Sequence, residues 1–161
     1  MLTRMVIRNF KRFDEVEIPL DHPVVFIGPN NSGKSTALQA LTLWHVGVQR
    51  WLEKRGQEVP EKRPGVTINR RDLVAVPVPS ANLLWRDLHV REMQRAGEKL
   101  KTQNVRIEIL VEGVTGAARW ECGLEFDYAN EESFYCRPLR TDQGRMPVPR
   151  EAGQIRVAYL P

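Results

Sequence analysis

Alternation of apolar and polar side chains predicts strands near the start of this chain. The segment "TRMVIRNF" (3–10) places Met5 and Ile7 on the opposite face from its basic residues. The next segment, "DEVEIPL" (14–20), alternates aliphatic residues with acidic ones. Because only a few residues separate the two, they are predicted to form an antiparallel pair with one solvated face.

The third segment has a different pattern. "VVFI" (24–27) is apolar at every position, which is typical of a central strand covered on both sides. A helix is predicted to follow from about Lys34. Its apolar positions recur at helical spacing and should face the core; they are Ala37, Leu38, Leu41 and Trp44.

Regular patterning breaks down between Gly47 and Pro79, where prolines punctuate a stretch in which basic residues outnumber acidic ones. Ser80 is a suitable N-cap for a short second helix. The side chains expected to point inward from that helix are Ala81, Leu84, Trp85 and Leu88.

The last third returns to alternation. "NVRIEILVE" (104–112) and "RWECGLEFDY" (119–128) are joined by the turn signal "GVTG" (113–116), which predicts a hairpin. Two further strands are predicted at "SFYCR" (133–137) and "QIRVAYL" (154–160). The fold class predicted from these elements is α/β of the mixed α+β kind.

Composition narrows the class of protein. The chain has 161 residues, a net charge of +4 and two cysteines, which suits one cytoplasmic domain without a disulfide framework. No apolar run approaches the ~20 residues of a membrane span, and the start lacks a signal peptide. The three histidines are scattered without zinc-ligand spacing.

The chemistry concentrates in "GPNNSGKST" (28–36), which has the spacing G-x-x-x-x-G-K-[ST] of a phosphate-binding loop. Glycines at its two ends allow the backbone to wrap an anion, and the helix that follows directs its positive end at the same point. The predicted nucleotide-binding residues of the loop are Gly28, Pro29, Asn30, Asn31, Ser32, Gly33, Lys34, Ser35 and Thr36.

Three side chains of the loop have distinct expected roles. Lys34 should reach the β- and γ-phosphates and act as the catalytic cation, and the Ser35 hydroxyl should ligate Mg²⁺. Thr36 can supply a further donor near the α-phosphate. The sequence therefore predicts ATP and Mg²⁺ as cofactors.

The opening "MVIRNFKRFDEVEIPL" followed by "VVFIGPNNSGKSTALQAL" resembles the ABC-class ATPases. More narrowly, it resembles the branch that contains SMC (structural maintenance of chromosomes) proteins, RecF-like repair proteins and OLD-type (overcoming lysogenization defect) nucleases. The I-x-N-F-basic-x-F stretch and Asn30 within the loop carry the likeness, which is specific over about the first 45 residues.

The resemblance implies a role for the residues just before the loop. Lys11 matches a basic residue that lies near the nucleotide phosphates in these proteins. Phe10, Arg12 and Phe13 match the segment that borders the base and ribose. A solvated turn between two strands is the alternative interpretation of Lys11 and Arg12.

The resemblance also identifies parts that this sequence lacks: a Walker B strand ending in Asp-Glu, an L-S-G-G-type signature and a Q-loop glutamine. The expected organisation is one N-terminal ATPase lobe over 1–161, truncated before those motifs. It would comprise a P-loop core with a central strand–loop–helix unit (1–46), a helical and basic insertion (47–100) and an antiparallel β region (101–161).

The isolated chain is expected to bind ATP and hydrolyse it poorly, and the complete protein is expected to be an ATPase whose dimer closes around nucleotide. The expected partners are the C-terminal half of the same ATPase or a second subunit, including a second copy of this chain, with DNA as a further candidate. DNA repair, chromosome handling and antiphage defence are all processes in which proteins with such N-terminal motifs are expected to act.

Other classes remain as alternatives. A GTPase would require N-K-x-D and D-x-x-G motifs, which are absent. A small P-loop kinase could use Arg70 and Arg71 as phosphate-binding arginines. A nucleic-acid-binding module could use the basic stretch from Arg50 to Arg71, although acidic residues interleave with its cations and favour a salt-bridged surface.

Overall fold

A six-stranded antiparallel sheet organises the part of the chain that the computed structural model describes, residues 1–29, 33–57 and 65–158. The strands of this sheet are β1 (Leu2–Phe10), β2 (Phe13–Pro19), β3 (Val66–Asn69), β6 (Ile107–Thr115), β7 (Ala118–Asn130) and β8 (Ser133–Pro138). They are arranged in the order β2-β1-β6-β7-β8-β3. The order confirms the predicted β1–β2 pair, the β6–β7 hairpin and the strand at 133–137.

One long helix, α1 (Lys34–Arg55), covers the apolar face of this sheet. The regular pattern of apolar residues in the sequence ends near Gly47, yet the helix continues for two more turns. Gly47 lies where helix and sheet approach most closely, because a Cβ there would be 2.7 Å from Leu124 Cδ1. Its missing side chain is therefore a packing requirement, which outweighs the low helix propensity of glycine.

The remaining elements are short. The strands β9 (Arg140–Thr141) and β10 (Gly144–Arg145) pair with each other, and α2 (Arg150–Gln154) packs against α1. Among the described residues, no helix is long and apolar enough to cross a membrane.

The central strand predicted at 24–27 is wrong. Residues 23–28 form no regular secondary structure, and Val25 and Ile27 are 78% and 90% exposed. A strand is held by hydrogen bonds to its neighbours, and no described strand pairs with this segment. Apolar residues alone therefore did not make it a strand here.

Two smaller expectations also need correction. The helix predicted from Ser80 is replaced by two 3₁₀ turns, Ala81–Leu84 and Arg86–Leu88, and Leu88 is 53% exposed. The strand predicted at 154–160 is not formed over 155–158, and residues 159–160 lie outside the described part. Gln154 instead ends α2.

The opposite face of the sheet is charged. Glu125 and Asp127 on β7 are nearly fully buried, at 1% and 4% exposure. Glu125 lies 2.8 Å from Arg145 Nη1 and 3.0 Å from Arg137 Nε, and Asp127 accepts a hydrogen bond from Arg106 at 3.1 Å. Carboxylates removed from water need such partners.

Both cysteines lie on the helix side of the sheet and are buried as free thiols. Burial raises the pKa of Cys122 to about 12, and it also raises the pKa of Cys136. The thiols therefore stay protonated and behave as packed apolar groups.

A two-stranded ribbon between the second 3₁₀ turn and β6 was not predicted. It consists of β4 (Arg91–Ala96) and β5 (Lys99–Asn104), and every residue of both strands is exposed. With water on both sides, neither face needs apolar residues, so the alternation that reveals strands is missing.

Candidate functional site

The amino end of α1 is built to accept an anion. Gly33 precedes the helix with φ of 96°, a left-handed conformation that glycine adopts without strain. The first turn carries no acidic residue. Its leading N–H groups have no intrahelical acceptor, and the helix dipole places partial positive charge beside them.

Lys34 bends back over the loop that precedes the helix. Its Nζ donates to the backbone carbonyl of Pro29 at 2.8 Å and also to that of Gly28. These hydrogen bonds are exposed to solvent and keep the amine at the loop, where a phosphate could replace the two carbonyl oxygens as its partner.

The other loop residues are placed as follows. Gly28, Pro29 and Ser35 are exposed, Thr36 is half-buried and Gly33 is buried. The predicted binding residues Asn30, Asn31 and Ser32 lie outside the described part of the chain.

A strained turn lies between β1 and β2. Asn9 and Lys11 have φ of 56° and 50°, which costs a residue with a side chain about 1–2 kcal/mol. Residues 84 and 85 support this turn. Lys11 N donates to Leu84 O at 2.8 Å, and Phe10 forms a backbone bridge with Trp85. Strain that is supported in this way is often found at functional sites.

The side chains of this turn reach the start of α1. Lys11 Nζ donates to Gln39 Oε1 at 2.7 Å, one turn beyond the loop, and burial lowers the pKa of this amine. The Phe13 ring packs on Gly33, where a Cβ would lie 2.9 Å from Phe13 Cε1. The turn and the loop therefore meet where Phe13 contacts Gly33, and the proximity of Lys11 to nucleotide phosphates stays a prediction.

Three residues of this arrangement were missed by sequence reasoning. Gln39 holds the Lys11 amine, and Leu84 and Trp85 hold its backbone. The only sequence signal for Gln39 is a lone polar residue within the apolar stretch "ALQAL" (37–41). Leu84 and Trp85 have the pattern of ordinary core residues.

The basic stretch proposed for a kinase or nucleic-acid module lies elsewhere. Arg50 pairs with Asp72 at 3.1 Å, which places the 70–72 turn about 24 Å along α1 from Lys34 at 1.5 Å per residue. Arg70 pairs with Glu132 at 2.8 Å, and Arg71 lies 3.6 Å from the same carboxylate. These arginines are ion-paired and remote from the loop; Lys62 and Arg63 are outside the described residues.

The site fits a nucleotide phosphate and its metal in the chemistry of its donors. Lys34 and the helix N–H groups supply positive charge at the loop, Lys11 adds a cation beside Gln39, and Ser35 is exposed. Within the described ranges, no group of three His, Cys, Asp or Glu residues is placed to hold a metal ion. The Ser35 hydroxyl is an oxygen donor of the kind that Mg²⁺ accepts beside phosphate oxygens.

Comparison with known proteins points the same way. Residues 1–45 match the family described as AAA ATPase domain. The chain is also similar to the OLD nuclease of Thermus scotoductus, with 33% identity over 61 residues, which is 38% of this chain and 11% of that protein. The chain thus spans a small part of the relative it matches.

The two matches confirm the resemblance to P-loop ATPases of the SMC, RecF and OLD branch that was drawn from the opening residues. They support ATP binding and a P-loop ATPase as the class of protein. The family match covers residues 1–45, which contain β1, β2, the loop and the first part of α1.

Proposed function

We propose that this chain binds ATP with Mg²⁺ through Gly28 to Thr36, as the N-terminal lobe of an SMC/RecF/OLD-like ATPase. One observation carries the proposal: Lys34, Gly33 and the strained Lys11 turn converge on the amino end of the same helix. A helix N-terminus with one lysine at the preceding loop and a second lysine at the first turns of the same helix suits a polyphosphate as ligand.

In the complete ATPase the phosphoryl group passes to water. Lys34 stabilises the charge that develops on the transferred phosphate, and the Ser35 hydroxyl holds Mg²⁺ beside it. The general base and signature loop of this branch do not occur in these 161 residues. The isolated chain is therefore proposed to bind ATP weakly and to turn it over slowly.

We further propose that the C-terminal half of the ATPase docks beside the loop. An apolar cleft of about 380 Å³ lies there between β1, the 22–26 segment and the exposed side of α1. Leu38 in this cleft is 52% exposed, and Val25 and Ile27 beside it are more so. Adding strands next to 24–27 would give that segment the neighbours it needs.

For the cellular process that ATP hydrolysis drives, we propose only a general class. ATP binding would close a dimer around nucleotide, and hydrolysis would open it, in DNA repair, chromosome handling or antiphage defence. The similarity to a protein described as an OLD nuclease supports a role connected with nucleic acids. Two buried free thiols suit the reducing cytoplasm that we propose as its compartment.

The experiment that tests nucleotide binding is a calorimetric titration of the 161-residue chain with ATP and with GTP, both with Mg²⁺. Saturable binding of ATP in preference to GTP is the expected result. Equal affinity for both would remove the assignment to an ATPase. Absence of binding would contradict the proposal that this lobe by itself forms the site.

Lys11→Met is expected to weaken ATP binding about tenfold, since one charge-assisted contact is worth about 1.5 kcal/mol. The same change should leave stability equal or higher at neutral pH, because it removes a buried ammonium. That gain should shrink as pH rises towards the ordinary lysine pKa of 10.5, where the wild-type amine has lost its proton.

Urea unfolding at several pH values and ATP titration measure the two effects of Lys11→Met separately. Lys54→Met is the matched control, because Lys54 lies exposed in the last turn of α1. If Lys11→Met binds ATP as the wild type does, Lys11 belongs to a structural turn and not to the nucleotide site.

A further inference from the structure

The four cations of the β4–β5 ribbon have no acidic partner among the described residues. Between 91 and 104 the ribbon has four basic and two acidic residues. Elsewhere on the described surface, arginines such as Arg4, Arg50 and Arg86 form ion pairs with carboxylates. Within the described part of the chain, no ion pair is formed by Arg91, Arg95, Lys99 or Lys101.

The two faces of the ribbon differ in charge. In the pairing register, Arg91 lies opposite Asn104, Met93 opposite Thr102 and Arg95 opposite Leu100. These six side chains share one face because residues alternate along a strand and directly opposed residues point the same way. This arginine face contains no acidic residue.

The second face is mixed. It carries Lys99 and Lys101, and also Glu92, which accepts a hydrogen bond from Gln94 at 2.9 Å. Its positive charge is therefore partly offset. The arginine face is the one that offers an uncompensated positive surface to a partner.

Apolar side chains lie among the arginines. Met93 and Leu100 are 74% and 71% exposed on the arginine face. Nothing in the described residues covers them, although burying each would remove apolar surface from water. On this face Met93 lies between the two arginines and Leu100 lies opposite Arg95. This arrangement suits a polyanion that carries apolar groups among its polar edges, as DNA does with its thymine methyl groups.

The dimensions select the form of that polyanion. Six residues per strand make a ribbon about 20 Å long, with its two strands about 4.8 Å apart. The major groove of B-form DNA is about 12 Å wide and admits a two-stranded β-ribbon, whereas the deep, narrow major groove of A-form RNA does not.

We propose that the β4–β5 ribbon is a DNA-binding arm that docks on double-stranded DNA through its arginine face. Arg91 and Arg95 contact phosphates or base edges, and Met93 and Leu100 contact the apolar groups that the base edges offer in the groove, the thymine methyls. This surface is separate from the basic stretch at 50–71, where Arg50, Arg70 and Arg71 are already paired with acids.

The root of the ribbon is fixed to the body of the protein. Val105 N donates to Val90 O at 3.0 Å and closes the base of the hairpin, and Trp85 Nε1 donates to Val105 O at 2.7 Å. Trp85 is the residue that also bridges to Phe10 beside Lys11. The arm is thus attached to the same support as the Lys11 turn.

The test is fluorescence anisotropy of the 161-residue chain with a labelled 30-base-pair duplex of mixed sequence, at two salt concentrations. Wild-type chain should bind and weaken steeply with salt. The double variant Arg91→Ala/Arg95→Ala should bind about tenfold or more weakly, with a salt slope lowered by roughly 1 to 2 units for two lost phosphate contacts.

The matched control is Lys99→Ala/Lys101→Ala, which removes the same charge from the other face. It should weaken binding at most about threefold, through the loss of general attraction. All four side chains are exposed, so thermal melts of both variants should match the wild type. ATP titration of both variants reports on the nucleotide site independently.

Several results would overturn the proposal. Failure of the wild-type chain to bind duplex at low salt would do so directly. Equal losses in the two double variants would reduce the effect to general charge and remove the assignment to the arginine face. Tighter binding of single-stranded DNA or of duplex RNA than of duplex DNA would contradict docking in a B-form groove.

Discussion

Lys34→Ala is expected to weaken ATP binding at least about 100-fold, since contacts to two phosphates together are worth about 3 kcal/mol or more. The amine already lies at the loop, where it donates to the carbonyls of Gly28 and Pro29. No other described lysine or arginine donates to those carbonyls. Calorimetric titration with ATP and Mg²⁺ measures the loss.

The fold should survive this substitution. The hydrogen bonds of Lys34 are on the surface, and changes at such positions usually alter stability by no more than about 0.5 kcal/mol. Lys54→Ala removes a lysine from the opposite end of α1 and should leave affinity unchanged. If Lys34→Ala kept wild-type affinity for ATP, the assignment of this loop as the nucleotide site would be wrong.

Glu125→Ala is expected to have the largest effect on stability, a loss of about 3 kcal/mol. The carboxylate is 1% exposed and faces three arginines, Arg145 at 2.8 Å, Arg137 at 3.0 Å and Arg106 at 3.7 Å. Without it, the guanidinium group of Arg145, whose side chain is only 6% exposed, loses this carboxylate partner. Arg106 and Arg137 keep some access to water, which limits the loss.

Urea unfolding of both proteins measures this difference. Glu121→Ala is the matched control, because Glu121 lies on the same strand and the same face but is exposed. It should change the free energy of unfolding by no more than about 0.5 kcal/mol. Similar effects of the two substitutions would mean that the arginine cluster does not depend on Glu125.

The sequence led to two different conclusions about β7. Its alternation predicted the hairpin with β6, which is confirmed over Ile107–Thr115 and Ala118–Asn130. Glu125 occupies a polar position of that alternation, on the side of a strand that usually faces water. It is nearly fully buried, because arginines from outside β7 cover it.

The candidate site likewise combines features that could be predicted from the sequence with features that could not. The start of α1 at Lys34 and the spacing of the loop could be predicted, because both are local properties of about ten consecutive residues. The hydrogen bond between Lys11 and Gln39 joins residues 28 positions apart, and its geometry depends on a turn supported by Leu84 and Trp85. The resemblance pointed to Lys11, but its partner could not be predicted.

Sequence by itself determined the elements whose pattern is local: the alternating strands of the sheet and the glycine–lysine–serine spacing at the helix start. Tertiary structure decided where no local pattern exists. Residues 24–27 are apolar but have no described neighbour to make them a strand, and residues 91–104 form strands without an apolar face. The physical reason is that hydrophobic periodicity reports which side of an element is buried, whereas strand pairing and burial of charge depend on partners that are distant in the chain.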